Sequence, residues 1–308
     1  MILARKSIIV LAISAVAAAC GGGGSSSNPP PAANQATPTA PRAAVSMDKA
    51  SYPVFADADK GADPAVPAEQ GGKGFAGQGW ETNSDFDLIG DPRAVKGGAL
   101  REFAISFPGT LRMAGPEWNT SVNYSINSLV YEQLLTLHPT TLAYMPMLAT
   151  HWQVGADKLT YRFRIDPNAR FADGTPVTSE DVVKTWEFLT DKSLQDLYFY
   201  TEYNKLEKPV AESKYIVRMK AKKLLWANFL TAATLRVFPA HVLKTMDGAA
   251  YLRDYNFKLL PGTGPYALAD ADIKKGVSIT LRRRQDYWAD RYRANIGQYN
   301  FDEYKSIV

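Results

Sequence analysis

Cysteine and histidine are scarce in this chain of 308 residues, which has one cysteine and three histidines. A single cysteine excludes a disulfide within the chain. The histidines (His138, His151 and His241) share no i, i+4 spacing and have no partner cysteine, so a structural or surface role is favoured over a metal site. The catalytic patterns G-x-S-x-G and H-E-x-x-H are also absent. We therefore expect neither an enzyme nor a cofactor.

The chain also lacks a strong excess of either positive or negative charge. Lysine and arginine number 35 against 31 acidic residues, a net charge of +4 that is dispersed along the chain. The one basic run, 282–284, belongs to an alternating stretch that distributes its side chains over both faces of a strand. This balance does not predict a nucleic-acid partner. Hydrophobic residues make up 46% of the chain, which is ample for a core.

The N-terminus has the pattern of a targeting segment. Arg5 and Lys6 precede an apolar run over 7–19, which is too short to span a bilayer comfortably and ends in small residues before Cys20. This order resembles a lipoprotein signal peptide. It predicts a signal peptide at 1–20 with Cys20 as the lipidated first residue, and hence anchoring on the periplasmic side of the cell envelope. Ordinary secretion with an incidental cysteine stays open as the alternative.

Residues 21–95 are predicted to be a tether followed by an irregular segment. Residues 21–42 are rich in Gly, Ser and Pro and cannot bury a core. A few aromatic residues are spread through polar sequence over 47–91, where we expect irregular chain that wraps on the domain. The G-x-G-x-x-G pattern that begins at Gly72 has no strand before it and no helix after it, which argues against a phosphate site. The folded lobe is predicted to span 96–308.

The most informative stretch runs from 145 to 189. Apolar and polar side chains alternate over 159–165, which predicts a half-buried strand. Two turns follow, at 166–168 and at Asp173-Gly174. Thr178 is then predicted to cap a helix, with Asp181 three residues later as a variant capping box.

Other segments predict further elements from the same periodicities. Strands are expected over 99–106 and 214–220, and another begins at 277. Residues 119–121 offer caps for one helix, and a second helix is expected across 225–235.

The central stretch resembles the signature of the family 5 extracellular solute-binding proteins, the receptors of oligopeptide and dipeptide ABC importers. The matched order is P-x-L-A-x-x-W, an amphipathic strand, then F-x-D-G-x-P-x-T-x-x-D-V. A second match is the turn G-T-G-P-Y at 262–266, whose glycines are expected to permit positive φ and close backbone approach. The signature residues, to which we assign structural roles, are Trp152, Phe171, Asp173, Gly174, Pro176, Thr178, Asp181, Gly262, Gly264, Pro265 and Tyr266.

The resemblance implies a mixed α/β, periplasmic binding protein-like fold of type II, whose family has two lobes, with this chain as a truncated first lobe. It implies a lipoprotein that captures a solute, an oligopeptide being favoured, and delivers it to the permease subunits of an ABC transporter. Two alternatives stay open: a surface lipoprotein that has lost transport, and a secreted hydrolase.

Candidate ligand contacts follow from the resemblance as well. In family members the loop equivalent to 107–119 lies near the ligand cleft. Trp118, Asn119 and Tyr124 are therefore candidate ligand-binding residues. The alternative, that Trp118 is a core or rim aromatic residue, stays open.

Overall fold

The computed structural model describes residues 46–308, and the predicted signal peptide, Cys20 and the start of the tether lie outside these residues. Within this range no helix is long and apolar enough to cross a membrane. The helices are α1 Ser121–Val130, α2 Ser179–Leu189, α3 Leu197–Tyr203, α4 Asn228–Ala233, α5 Ala240–Leu243 and α6 Gly248–Asp254. The strands are β1 Ala99–Phe103, β2 Leu135–Leu137, β3 Tyr144–Pro146, β4 Ala149–Val154, β5 Thr160–Ile165, β6 Val210–Ala211, β7 Ile216–Lys220, β8 Tyr266–Ala267, β9 Ile273–Lys274, β10 Ser278–Arg283 and β11 Glu303–Ile307.

One sheet is antiparallel, with the strand order β4-β5-β7-β6. Its centre is the predicted strand, since Tyr161, Phe163 and Ile165 of β5 are all buried. The predicted helix start is also confirmed. The carboxylate of Asp181 accepts hydrogen bonds from the backbone N–H and the hydroxyl of Thr178, at 2.6 and 2.9 Å. Its other oxygen accepts from the N–H of Ala240 at 2.7 Å, which joins α2 to the start of α5.

The second sheet brings distant parts of the chain together. Its order is β1-β11-β10-β8, and β9 pairs with β10. Strands β1 and β11 are parallel, with Ala99 opposite Glu303 and Phe103 opposite Ile307, whereas the other pairs are antiparallel. A parallel pair needs a long connection. Within the connection from β1 to β11, the residues between β1 and β8 supply the first sheet and all six helices α1 to α6.

Residues 46–98 lie along these elements without forming a long helix or strand. Alternation in β5 predicts Arg164 on a polar face, but only 3% of this residue is exposed. Its guanidinium donates to the carbonyl oxygens of Gly71 and Gly72, at 3.0 and 3.4 Å, and pairs with Asp59. The polar face of β5 is therefore partly covered by the irregular segment 46–98, which period-2 alternation alone does not reveal.

Three local expectations need correction. Strand β1 ends at Phe103 and not at 106. Helix α4 begins only at Asn228, and residues 222–227 before it are irregular chain that ends in a turn. In the G-T-G-P-Y turn, neither glycine has a positive φ. Close approach alone explains the glycines: a Cβ on Gly262 would lie 2.0 Å from the carbonyl oxygen of Val130, and one on Gly264 would lie 2.5 Å from that of Leu129.

Candidate functional site

A cavity of about 180 Å³ with aromatic walls lies between α1, α3 and the segment that follows α4. It is open to solvent on one side, where Tyr124 and Tyr198 are each more than half exposed. Ligand sites of this kind combine apolar and aromatic walls with a few polar groups. The lining residues are Met113, Trp118, Tyr124, Asn127, Gln133, Leu189, Tyr198, Phe199, Tyr203, Thr234, Arg236 and Phe238. We refer to this set as the aromatic pocket.

Hydrogen bonds to side chains hold the loop before α1 in place, both at Trp118 and at the residues before it. The side-chain amide of Asn123 donates to the carbonyl oxygens of Trp118 and Thr110, at 2.8 and 3.0 Å. Asp196, which caps α3, accepts from the N–H of Phe199 at 2.9 Å and from that of Gly115 at 2.8 Å. One buried carboxylate thus ties the loop to the start of α3.

Gly115 has to be a glycine at this junction. Its φ is +96°, and a Cβ would lie 2.5 Å from a side-chain carbon of Leu252 and 3.2 Å from the carbonyl oxygen of Leu194. A left-handed conformation and a crowded position both disfavour a side chain. The loop that presents Trp118 is therefore defined by its backbone packing.

Trp118 packs against three other aromatic rings. It stacks on Phe199 with the ring centroids 4.8 Å apart and an interplanar angle of 22°. Tyr124 and Tyr198 lie 5.5 and 6.3 Å from it. Phe199 in turn stacks on Tyr203 at 6.0 Å. Such rings offer flat apolar surface, and the tyrosine hydroxyls add polar groups at its edge.

Arg236 supplies a positive charge in this apolar setting. The backbone around it pairs with the segment after α1, since the N–H of Leu134 donates to Leu235 at 3.1 Å and that of Val237 donates to Glu132 at 3.2 Å. Its Nε donates to the carbonyl oxygen of Asn127 at 3.3 Å. Burial lowers the pKa of its guanidinium, because the charged form loses hydration.

The remaining contacts of Arg236 carry no negative charge. With its amide oriented so that both of its groups are satisfied, Gln133 accepts from Nη1 of Arg236 at 3.3 Å. The groups that act electrostatically on the guanidinium are the phenols of Tyr203 and Tyr198, and burial raises the pKa of Tyr203 further. With its pKa raised in this way, the phenol of Tyr203 is neutral at pH 7 and supplies no counter-charge. Among residues 46–308 Arg236 forms no ion pair with a carboxylate.

A second cavity, of about 100 Å³, lies beside Glu132, which follows α1. Only 4% of Glu132 is exposed. Its carboxylate accepts from the hydroxyl of Tyr287 at 2.5 Å and from Nε1 of Trp288 at 3.0 Å, and its backbone N–H donates to the hydroxyl of Thr263 at 3.2 Å. Burial raises the pKa of Glu132 to about 7, although these hydrogen bonds oppose the shift.

The structure brings together two of the three residues predicted to contact a ligand. Trp118 and Tyr124 line the aromatic pocket, whereas Asn119 is exposed and does not line it. Arg236 and the aromatic residues of α3 also line the pocket but were not among the predicted contacts. The run LYFYTEY was a usable signal, because three aromatic residues in succession exceed what one buried helix face needs. An arginine within the apolar run LRVF was a second signal.

The signature residues lie away from the aromatic pocket. Trp152 is buried in β4, and its Nε1 donates to Glu81 at 3.2 Å. Asp173 lies within the turn before α2, and its carboxylate contacts Nε2 of His241 at 2.7 Å. Tyr266 is buried and its hydroxyl donates to the carbonyl oxygen of Phe301 at 2.8 Å. In the part of the chain that the structure describes, no cluster of three or more His, Cys, Asp or Glu side chains could hold a metal ion.

The fold is that of the periplasmic solute-binding proteins. The chain superposes on the oligopeptide-binding protein AppA from Bacillus subtilis, solved with a nonapeptide, with a TM-score of 0.59 and 22% sequence identity. The match covers 70% of this chain and 41% of AppA. The predicted mixed α/β, periplasmic binding protein-like class is therefore confirmed.

The family follows from the sequence itself. The profile of the bacterial extracellular solute-binding proteins, family 5 (middle), matches residues 143–306, which is just over half of the chain. The chain belongs to this family, as its signature predicts.

Two curated relatives come from Agrobacterium fabrum. The probable peptide-binding protein YejA is 32% identical over 222 residues, covering 70% of this chain and 34% of the relative. The peptidoglycan-binding protein YepA is 24% identical over 178 residues, covering 57% of this chain and 28% of the relative. The chain spans about a third of the length of these relatives.

Proposed function

We propose that this chain captures oligopeptides outside the cytoplasmic membrane for an ABC importer and that it is not an enzyme. The observation that carries this proposal is the aromatic pocket in a chain of the family 5 solute-binding proteins. The probable peptide-binding protein YejA, and AppA, solved with a nonapeptide, support peptide as the class of solute.

The chemistry of the pocket suits a peptide. The stacked rings of Trp118 and Phe199 offer apolar surface for a side chain. Asn127, Gln133 and Thr234 also line the pocket and have amide or hydroxyl groups that can pair with a peptide backbone. Broad peptide binders use hydrogen bonds to the backbone and leave side chains in roomy, wet pockets.

The proposed delivery route combines a lipid anchor with a permease. In this proposal Cys20 is acylated, residues 21–95 include the tether, and the lobe at 96–308 is held on the periplasmic side of the membrane. The permease subunits of the importer are the proposed partners. Two or more acyl chains are enough to hold a protein stably at a membrane.

The binding step is tested by incubating the purified chain with an equimolar library of tripeptides. Retained peptides are separated from free ones, released by denaturation and identified by mass spectrometry. We expect specific peptides to be enriched on the wild-type chain and depleted on the Trp118→Ala variant. Equal recovery from both proteins, or no recovery from either, would contradict peptide capture at the aromatic pocket.

The anchor is tested separately, by growth with radiolabelled palmitate. We expect label on the wild-type protein and none on Cys20→Ser. Label that persists in Cys20→Ser, or an unlabelled wild-type protein, would contradict acylation at this position.

A further inference from the structure

Arg236 leaves much of its hydrogen-bonding capacity unused. A guanidinium has five N–H donors. One donates to Asn127 and one to Gln133, which leaves three without a partner in residues 46–308. Each of the two bonds is 3.3 Å long, beyond the usual range for N–H donors to oxygen.

Arg170 shows what an arginine with a purely structural role looks like in this molecule. Its guanidinium, also half-buried, donates to three backbone carbonyl oxygens, those of Pro167 at 2.6 Å, Ala169 at 2.8 Å and Gly61 at 3.4 Å. These bonds hold the segment before the lobe against the turn after β5. Arg236 has only one backbone acceptor, and its side chain lines a cavity.

The acidic residue beside Tyr203 on α3 is engaged elsewhere. Glu202, next to Tyr203 on α3, forms an ion pair with Lys205 at 2.5 Å and accepts from the hydroxyl of Thr231 at 2.5 Å. Its carboxylate is not among the influences on the pKa of Arg236, which are burial and the phenols of Tyr203 and Tyr198. A partly buried charge without a counter-ion is costly unless a partner satisfies it.

We propose that Arg236 binds a carboxylate of the solute, whose apolar body packs on Trp118 and Phe199. This inference deepens the proposed function by assigning the class of ligand to an acid with an adjacent apolar or aromatic group. An arginine suits the role because its planar fork matches the two oxygens of a carboxylate. The aromatic rings make the setting of Arg236 less polar than bulk water, which strengthens such a pair.

The test uses two probes that differ only in charge, 3-phenylpropionate and its neutral amide 3-phenylpropanamide. Calorimetry on the purified chain at pH 7 should show the acid binding at least about tenfold more tightly than the amide. In Arg236→Gln the two affinities should agree within about twofold. Arg236→Lys should keep part of the preference, because it retains the charge but lacks the fork.

Arg170→Gln serves as the matched control, since it removes a half-buried arginine that does not line the pocket and should leave the preference for the acid intact. Thermal melts of all variants establish that they are folded. Equal binding of both probes by the wild type, a preference that survives in Arg236→Gln, or no binding of the acid would each overturn the inference.

Two further probes distinguish the source of the carboxylate. A preference for Ala-Phe over Ala-Phe amide places the C-terminal carboxylate of a peptide on Arg236. A preference for Glu-Phe amide over Gln-Phe amide places an acidic side chain there.

The outcome is separable from that of the peptide library. Retained library peptides with equal binding of acid and amide would leave peptide capture standing and overturn the inference. A strong preference for 3-phenylpropionate without any retained peptide would support the role of Arg236 and overturn peptide capture.

Discussion

Two cavities in this molecule contain an ionisable side chain at an apolar wall, and they differ in how that side chain is satisfied. Glu132 has a hydroxyl and an indole N–H as donors to its carboxylate, and it is almost wholly buried. Arg236 has one carbonyl and one amide acceptor, both at 3.3 Å, and lies at an open pocket. An ionisable side chain whose hydrogen-bond partners are all supplied by the protein indicates a structural role. One that lies at a cavity with unused hydrogen-bond donors indicates a ligand-binding role.

The largest expected effect is on stability, at Glu132. Glu132→Ala leaves the hydroxyl of Tyr287 and the indole N–H of Trp288 without their acceptor and enlarges the neighbouring cavity. We expect the free energy of unfolding to fall by about 3–5 kcal/mol. Denaturant titration measures this change. Glu69→Ala, at an exposed glutamate, is the control and should change stability by less than about 0.5 kcal/mol.

The pH dependence of stability should also show the contribution of Glu132. Its pKa rises from 4.5 to about 7 on folding, so the folded state holds a proton that the unfolded state releases. The stability of the wild type relative to Glu132→Gln is therefore greatest below pH 4.5 and declines as pH rises through 7. The decline should be about 3 kcal/mol. A difference that is flat over this range would contradict the raised pKa.

At the aromatic pocket the expected effects are on binding. Trp118→Ala removes the ring that stacks on Phe199, and with it the apolar surface on which the solute is proposed to pack. We expect the affinity for 3-phenylpropionate to fall about tenfold, measured by calorimetry. Trp80→Ala, which removes a tryptophan of the segment before the lobe, should leave this affinity unchanged.

Arg236→Gln should have a much smaller effect on the free energy of unfolding than Glu132→Ala, and this contrast distinguishes the two cavities. The arginine loses hydration on burial and gains no ion pair within residues 46–308, so its replacement should change the free energy of unfolding by less than about 1 kcal/mol. Thermal melts without ligand test this. A loss as large as that at Glu132 would mean that Arg236 is a structural residue.

The smallest effect is expected at Asn119. Its side chain is exposed and lies outside the lining of the pocket, although the sequence resemblance made it a candidate. Asn119→Ala should therefore change the affinity for 3-phenylpropionate by less than about twofold. A loss comparable to that of Trp118→Ala would return Asn119 to the site.

The sequence was most informative where structure is local. The capping box at Thr178 and the strand at 160–165 depend on residues close together in the chain, and both lie where the pattern predicts. The aromatic pocket could be predicted only in part, because its walls come from segments about 120 residues apart. Trp118 could be predicted because it belongs to the loop that the family resemblance places near the ligand cleft. Arg236 lies in an apolar run, and the sequence does not indicate which side chains will pack opposite that run.

Burial of polar residues was the least predictable feature. The alternation of apolar and polar residues predicts that Arg164 faces solvent. The segment around Gly71 nevertheless covers this side chain. Glu132 directly follows α1, and its hydrogen-bond donors, Tyr287 and Trp288, come more than 150 residues later in the chain. Such contacts depend on how distant segments pack, which period-2 and period-3.6 patterns do not encode.

One measurement compares the two cavities directly. Each contains one tryptophan, Trp118 in the aromatic pocket and Trp288 beside Glu132. The chain can be labelled with 5-fluorotryptophan and its ¹⁹F resonances assigned from single Trp→Phe variants. On titration with 3-phenylpropionate we predict a saturable shift of the Trp118 resonance, while that of Trp288 stays in place. A shift confined to Trp288, or an unmoved Trp118 resonance at saturating probe, would contradict the assignment of the aromatic pocket as the ligand site.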